Sequence, residues 1–161
     1  MTSQKIAKIG IICAVSVILG YIESLLPPFI PVVGFKIGLA NIAVMYALYK
    51  IGYKEAFFVM LTKVLITALW FSGLNSFIFS LLGGILSYFA MVTAKRLKLS
   101  QIGVGMAGGV FHNVGQILAA CVVLGTYNAL FYMVYLLPLG LLTGALVAAA
   151  TKLLLKYTKK I

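Results

Sequence analysis

Acidic side chains are nearly missing from this sequence. It has no Asp, and Glu23 and Glu55 are its two carboxylates, against 13 Lys+Arg. Chemistry that holds Mg²⁺ through aspartates, or that pairs carboxylates for acid–base work, has no raw material here. No G-x-x-x-x-G-K-[ST] run occurs, so the chain does not hydrolyse ATP through a phosphate loop. The two cysteines, Cys13 and Cys121, lie in apolar runs without C-x-x-C spacing and imply neither a zinc site nor a disulfide framework. Charge of any sign is scarce: 9% of residues are charged, against about 25% in a soluble globular protein. What remains is 63% hydrophobic, with a mean hydropathy of +1.15. That leaves too little polar surface to coat a water-soluble particle. The sequence reads as one integral membrane domain over residues 1–161.

A spanning helix takes about 20 apolar residues, with a range of roughly 17 to 25. Six apolar segments predict an all-α, six-helix membrane bundle. The first runs over 6–26 and ends at Pro27 and Pro28; the second, 37–49, is short for a span. The third covers 56–71, the fourth 77–94, the fifth 102–124 and the sixth 129–155. No small-residue cleavage site follows the first segment, so it reads as a helix of the protein and not as a removable signal.

Six spans put the N-terminus, the 50–54 connector, the 95–98 connector and the C-terminus on one side. These segments hold every basic residue except Lys36 and Lys63. Positive charge marks the cytoplasmic side, so both termini are expected in the cytoplasm of a cell-membrane protein. The net charge of +11 is then a membrane-flanking belt, and no nucleic-acid partner is implied.

Against this background, buried ionisable residues stand out, because each costs about 2.5 to 3.5 kcal/mol near the bilayer centre on insertion scales. Glu23 lies late in the first span, Lys63 midway along the third and His112 midway along the fifth. Asn41, Asn75 with Ser76, Gln116, Asn128 and Tyr132 fall toward the outer half by the same depth argument. Glu23 and Lys63 could pair to lock two helices together, or hold a ligand between them. His112 with Asn113 and Gln116 suits either interhelical hydrogen bonds or a site. Lys36 and Asn41 suit a site or an interfacial anchor, and Asn75 and Asn128 suit loops or caps. Lys36 and Lys63 outnumber Glu23, which favours an anionic ligand. No cofactor or metal is implied.

Small residues form a second pattern. Gly105 and Gly109 in the fifth span, and Gly140, Gly144 and Ala148 in the sixth, have the spacing that lets helices pack closely. Ala7, Gly10 and Ala14 repeat that spacing on the first span, where the face could serve internal packing or a partner protein. Tyr21, Phe29, Trp70, Phe71 and Tyr127 near the span ends suit interfacial belts.

Four stretches carry a resemblance. They are Glu23-Ser24 with Pro27, Lys36-Ile37-Gly38-Leu39-Ala40-Asn41, the run from Ser80 to Ser87, and the run from Gly109 to Gln116 that includes His112-Asn113. Together they resemble the Gx transporter family, also called heptaprenyl diphosphate synthase component I, over nearly the whole chain. That family is in turn similar to the S components of energy-coupling factor (ECF) transporters. The resemblance implies a six-helix bundle with both termini inside and a ligand pocket in the outer half. Glu23, Lys36, Asn41, Lys63, His112, Asn113 and Gln116 would line or support that pocket. Residues 27–35 would form a lid. Ala7, Gly10 and Ala14 would dock a transmembrane coupling subunit, with separate ATPase subunits supplying energy. Three other readings stand beside it: a membrane accessory subunit of heptaprenyl diphosphate synthesis, a solitary secondary transporter, and a purely structural or assembly protein. Without aspartates, a catalytic role in prenyl synthesis is not expected.

Overall fold

The computed structural model describes residues 3–25 and 38–158, and at 71–76 the backbone alone. Six α-helices follow in order: α1 (Ser3–Leu25), α2 (Leu39–Lys50), α3 (Tyr53–Thr67), α4 (Gly73–Arg96), α5 (Gln101–Leu124) and α6 (Met133–Tyr157). A π-helical turn, Ala68–Ser72, joins α3 to α4, and a 3₁₀ segment, Tyr127–Tyr132, precedes α6. No strand occurs among the described residues.

Among the described residues, four segments are long and apolar enough to cross a membrane: Ser3–Leu25, Phe77–Arg96, Gln101–Leu124 and Tyr127–Tyr157. The other two helices fall short for a geometric reason. At 1.5 Å per residue, α2 rises about 18 Å and α3 about 22 Å, less than the roughly 30 Å of a hydrocarbon core. The sequence predicts the 56–71 segment as a full span followed by a non-helical connector at 72–76. Instead α3 ends at Thr67, and the backbone stays helical through the π turn into α4. The chain still reverses there. Tyr88 on α4 donates from its hydroxyl to the Tyr53 carbonyl at 2.9 Å, and Lys95 donates to the Leu48 carbonyl at 2.6 Å. A wide π turn bends the chain while keeping backbone groups bonded, which apolar surroundings demand.

The helices form a ring in which α2, α3, α4, α5 and α6 each touch the next and α6 returns to α2, while α1 packs on α2 and α3. Glycine rows set the tightest seam. At Gly105 and Gly109 an added Cβ would run into the backbone of Gly144 and Gly140 on α6. The apolar core collects Val44, Met45 and Leu48 of α2, Val59, Met60 and Val64 of α3, and Met91 of α4. Dispersion among such close-packed atoms holds helices together where water offers no drive.

One end of the ring is basic. Lys5 of α1 pairs with Glu55 at the start of α3 at 2.5 Å, and Lys50 at the end of α2 donates to the Thr158 carbonyl beyond α6 at 2.8 Å. Lys95 sits over the Tyr49 and Tyr53 rings, 4.6 and 4.9 Å from their centres. These contacts gather helix ends that are far apart in sequence at one face of the bundle. There the Lys5 ammonium holds the Glu55 carboxyl below the usual carboxylate range. Toward the other end, Trp70, Tyr127 and Phe131 are each more than three-quarters exposed, as an interfacial aromatic belt requires.

Helix starts follow the sequence locally. Ser100 caps α5 by accepting from the Gly103 N–H at 3.1 Å, and Gly125 ends it in a left-handed conformation. Gly38, at φ 87°, opens α2 in a conformation that L side chains rarely adopt.

Candidate functional site

The short α2 shapes the site. Its first backbone N–H groups have no partner within the helix, and Gly38 just ahead of them is buried. The Glu23 carboxylate on α1 accepts from the Gly38 N–H. A negative group at a helix start is also favoured by the helix dipole. One turn on, the Asn41 carbonyl oxygen accepts from the Lys63 ammonium of α3 at 2.8 Å. Lys63 is 8% exposed and His112 6% exposed, so both lie well inside the bundle.

These side chains share a recess of about 460 Å³, counting the space at its open side. Glu23, Asn41, Lys63 and His112 line it from four different helices, together with Thr67 and Ser80. Helical rise places Asn41, Lys63 and His112 about 12 to 16 Å from the basic end, and Glu23 and Ser80 about 24 to 27 Å from it. The recess therefore runs from mid-depth toward the non-basic end.

A second, smaller hollow, about 340 Å³ counting the space at its open side, adjoins the first, and Gly38, Asn41 and His112 line both. Gly105, Gly108 and Gly109 of α5, Met91 of α4 and Thr143 and Val147 of α6 also line it. His112 is positioned by Gly83 of α4, where a Cβ would come within 3.0 Å of the imidazole. Glycine there lets α4 press against the ring.

The sequence-predicted residues part into groups. Glu23, Asn41, Lys63 and His112 come together. Asn113 lines the second hollow and donates from its amide to the Leu136 carbonyl at 2.6 Å, tying α5 to α6. Gln116 is 2% exposed, lines neither hollow, and its amide has no hydrogen-bond partner among the described residues. Lys36 and the 27–35 segment lie outside the described residues. Asn128 and Tyr132 are exposed and do not join the polar cluster. Ala7, Gly10 and Ala14 are exposed on α1, and a Cβ on Gly10 would meet nothing within 4 Å.

Sequence reasoning did not single out Gly38, Thr67 or Ser80 as lining residues. Gly38 and Ser80 stand inside motif stretches, which was a usable signal; Thr67, one turn beyond Lys63 on the same face, could have been found from helical spacing. No group of three or more His, Cys, Asp or Glu that could hold a metal occurs among the described residues.

Four apolar helices of bilayer length among the described residues mark a helical membrane protein, and its polar recess is lined from α1 to α5. Residues 12–154 match the family model described as heptaprenyl diphosphate synthase component I, and the chain belongs to that family. Neither the curated proteins nor the solved structures gave a match.

Proposed function

We propose that the protein is a substrate-binding S component of an ECF-type ABC transporter, which captures a small anionic or amphipathic molecule in the outer half of the membrane. The recess carries this reading: an acid, an ammonium, an imidazole and an amide from α1, α3, α5 and α2 share one hollow at membrane depth. Side chains of that kind cost free energy to dehydrate, and a guest molecule offsets the cost. The basic helix ends face the cytoplasm, with both termini there.

The chain itself has no phosphate loop, so separate ATPase subunits and a transmembrane coupling subunit drive release. The exposed Ala7, Gly10 and Ala14 face of α1 is the docking surface. Affinity purification from native membranes tests this. ATPase and coupling subunits co-purify with the wild type and are lost from Ala14→Phe, while the mutant keeps its bound ligand. Wild-type protein that comes down without any ATPase, or an Ala14→Phe complex that assembles normally, contradicts the reading.

The family description favours a second reading, a membrane accessory subunit of heptaprenyl diphosphate synthesis. The same purification separates the two, since that role brings down a soluble prenyl synthase whose activity changes when the membrane subunit is removed.

A further inference from the structure

Away from the recess, the basic end of the bundle carries a surface built on the seam between α3 and α4. The Phe57 ring of α3 and the Tyr88 ring of α4 meet across that seam, 5.1 Å between their centres. Helical geometry, about 100° per residue, then sorts their neighbours. Because the chain reverses between α3 and α4, Phe58 and Phe89, each one residue further on, turn to the same outer side. Lys54, one turn before Phe58, and Arg96, two turns beyond Phe89, fall on that side as well. All four side chains are exposed. Two rings therefore lie deeper along the helices, with two cations about 6 to 11 Å nearer the basic end.

Neither cation has a carboxylate of its own. Glu55, the acid at this end, is paired with Lys5, and Glu23 lines the recess; the chain has no other acidic side chain. Lys95, beside Arg96, turns into the seam, over the Tyr49 and Tyr53 rings and bonded to the Leu48 carbonyl. Arg96 lies over Tyr53 with its guanidinium carbon 5.5 Å from the ring centre, and it makes no hydrogen bond or ion pair among the described residues. Stacking on a ring holds a guanidinium in place and leaves its fork of N–H donors unspent. Lys54 adds like charge on the same side, which repels unless an anion lies between.

We propose that this seam is a binding site for one phospholipid with an anionic headgroup. The head sits between Arg96 and Lys54, and an acyl chain lies over Phe58 and Phe89. Charge complementarity picks the head. A positioned guanidinium and an ammonium offer donors alone, which a net-negative head satisfies and a choline head opposes with its own cation. The exposed rings beneath select a lipid over a free phosphate compound, because a small solute has no apolar part to cover them. The site is separate from the recess and does not depend on what the recess binds.

The experiment is native mass spectrometry of the purified protein in neutral detergent, titrated with phosphatidylglycerol and, separately, with phosphatidylcholine of the same acyl chains. The wild type takes up its first phosphatidylglycerol about ten-fold more tightly than phosphatidylcholine. Arg96→Gln lowers that preference about five-fold and Lys54→Gln about two-fold. Phe89→Ala weakens both lipids alike and leaves the preference unchanged. Lys152→Gln, an exposed position on α6 at the same end, leaves both lipids as they are.

A wild type without preference overturns the proposal. So does a Lys152→Gln loss as large as that of Arg96→Gln, since a diffuse basic belt then accounts for the binding. Excess sn-glycerol 3-phosphate leaves the bound phosphatidylglycerol in place; its displacement by that solute overturns the assignment to a lipid.

Discussion

Replacing Gly109 by Ala pushes α5 and α6 apart. The new Cβ meets the Gly140 carbonyl oxygen, and the Gly144 Cα and N both lie 3.0 Å away. All three are backbone atoms, so no side-chain rotation relieves the contact and the helices themselves must separate. Overpacking of this kind costs about 1 to 3 kcal/mol. The better helix propensity of Ala returns about 1 kcal/mol, leaving a net loss of up to about 2 kcal/mol. Gly10→Ala is the matched comparison, since nothing stands within 4 Å of a Cβ there. It gains propensity alone, between zero and about 1 kcal/mol. Because both mutants gain the same propensity, they should differ by the overpacking cost, about 1 to 3 kcal/mol, in unfolding by sodium dodecyl sulfate titration from mixed micelles, followed by circular dichroism. Gly109→Ala as stable as Gly10→Ala would refute the close α5–α6 seam.

Asn113→Leu removes the 2.6 Å bond to the Leu136 carbonyl; it should lower stability by about 0.6 to 1.7 kcal/mol in the same assay, and an unchanged midpoint contradicts the tie. Glu55 offers a pH test. Its carboxyl is held below the ordinary value of 4.5, first of all by Lys5, so the pair contributes stability above that value and loses it as pH falls through the lowered one. Wild type and Glu55→Gln should then converge in thermal midpoint on acidification, and a gap that persists unchanged in acid argues against the pair.

The helical membrane class was legible in composition alone, because 63% hydrophobic residues and 2 acids permit little else. The end of α1 also followed from local chemistry, at Pro27-Pro28 in the sequence, whereas the Ser100 cap and the Gly125 stop of α5 were signals that the sequence carried and that sequence reasoning did not use. The α3–α4 turn was not legible. Residues 68–72 are Ala-Leu-Trp-Phe-Ser, which reads as the end of a straight span, and a π turn has no sequence signature comparable to a proline or an N-cap. In the site, ionisable residues announced themselves through the expense of burying them. Partner choice did not: that Glu23 meets the Gly38 backbone and Lys63 meets Asn41 depends on where α2 begins in depth. Asn113 makes the interhelical bond that the sequence left open beside a site role, and lines the second hollow together with His112.

The recess as a binding site is tested most directly by native mass spectrometry of protein extracted from the membranes in which it is made. Wild-type protein should carry one small molecule of constant mass per chain, and Lys63→Met, folded and purified identically, should lack it. Identical spectra from the two proteins, once detergent and phospholipid adducts are stripped, would contradict the account.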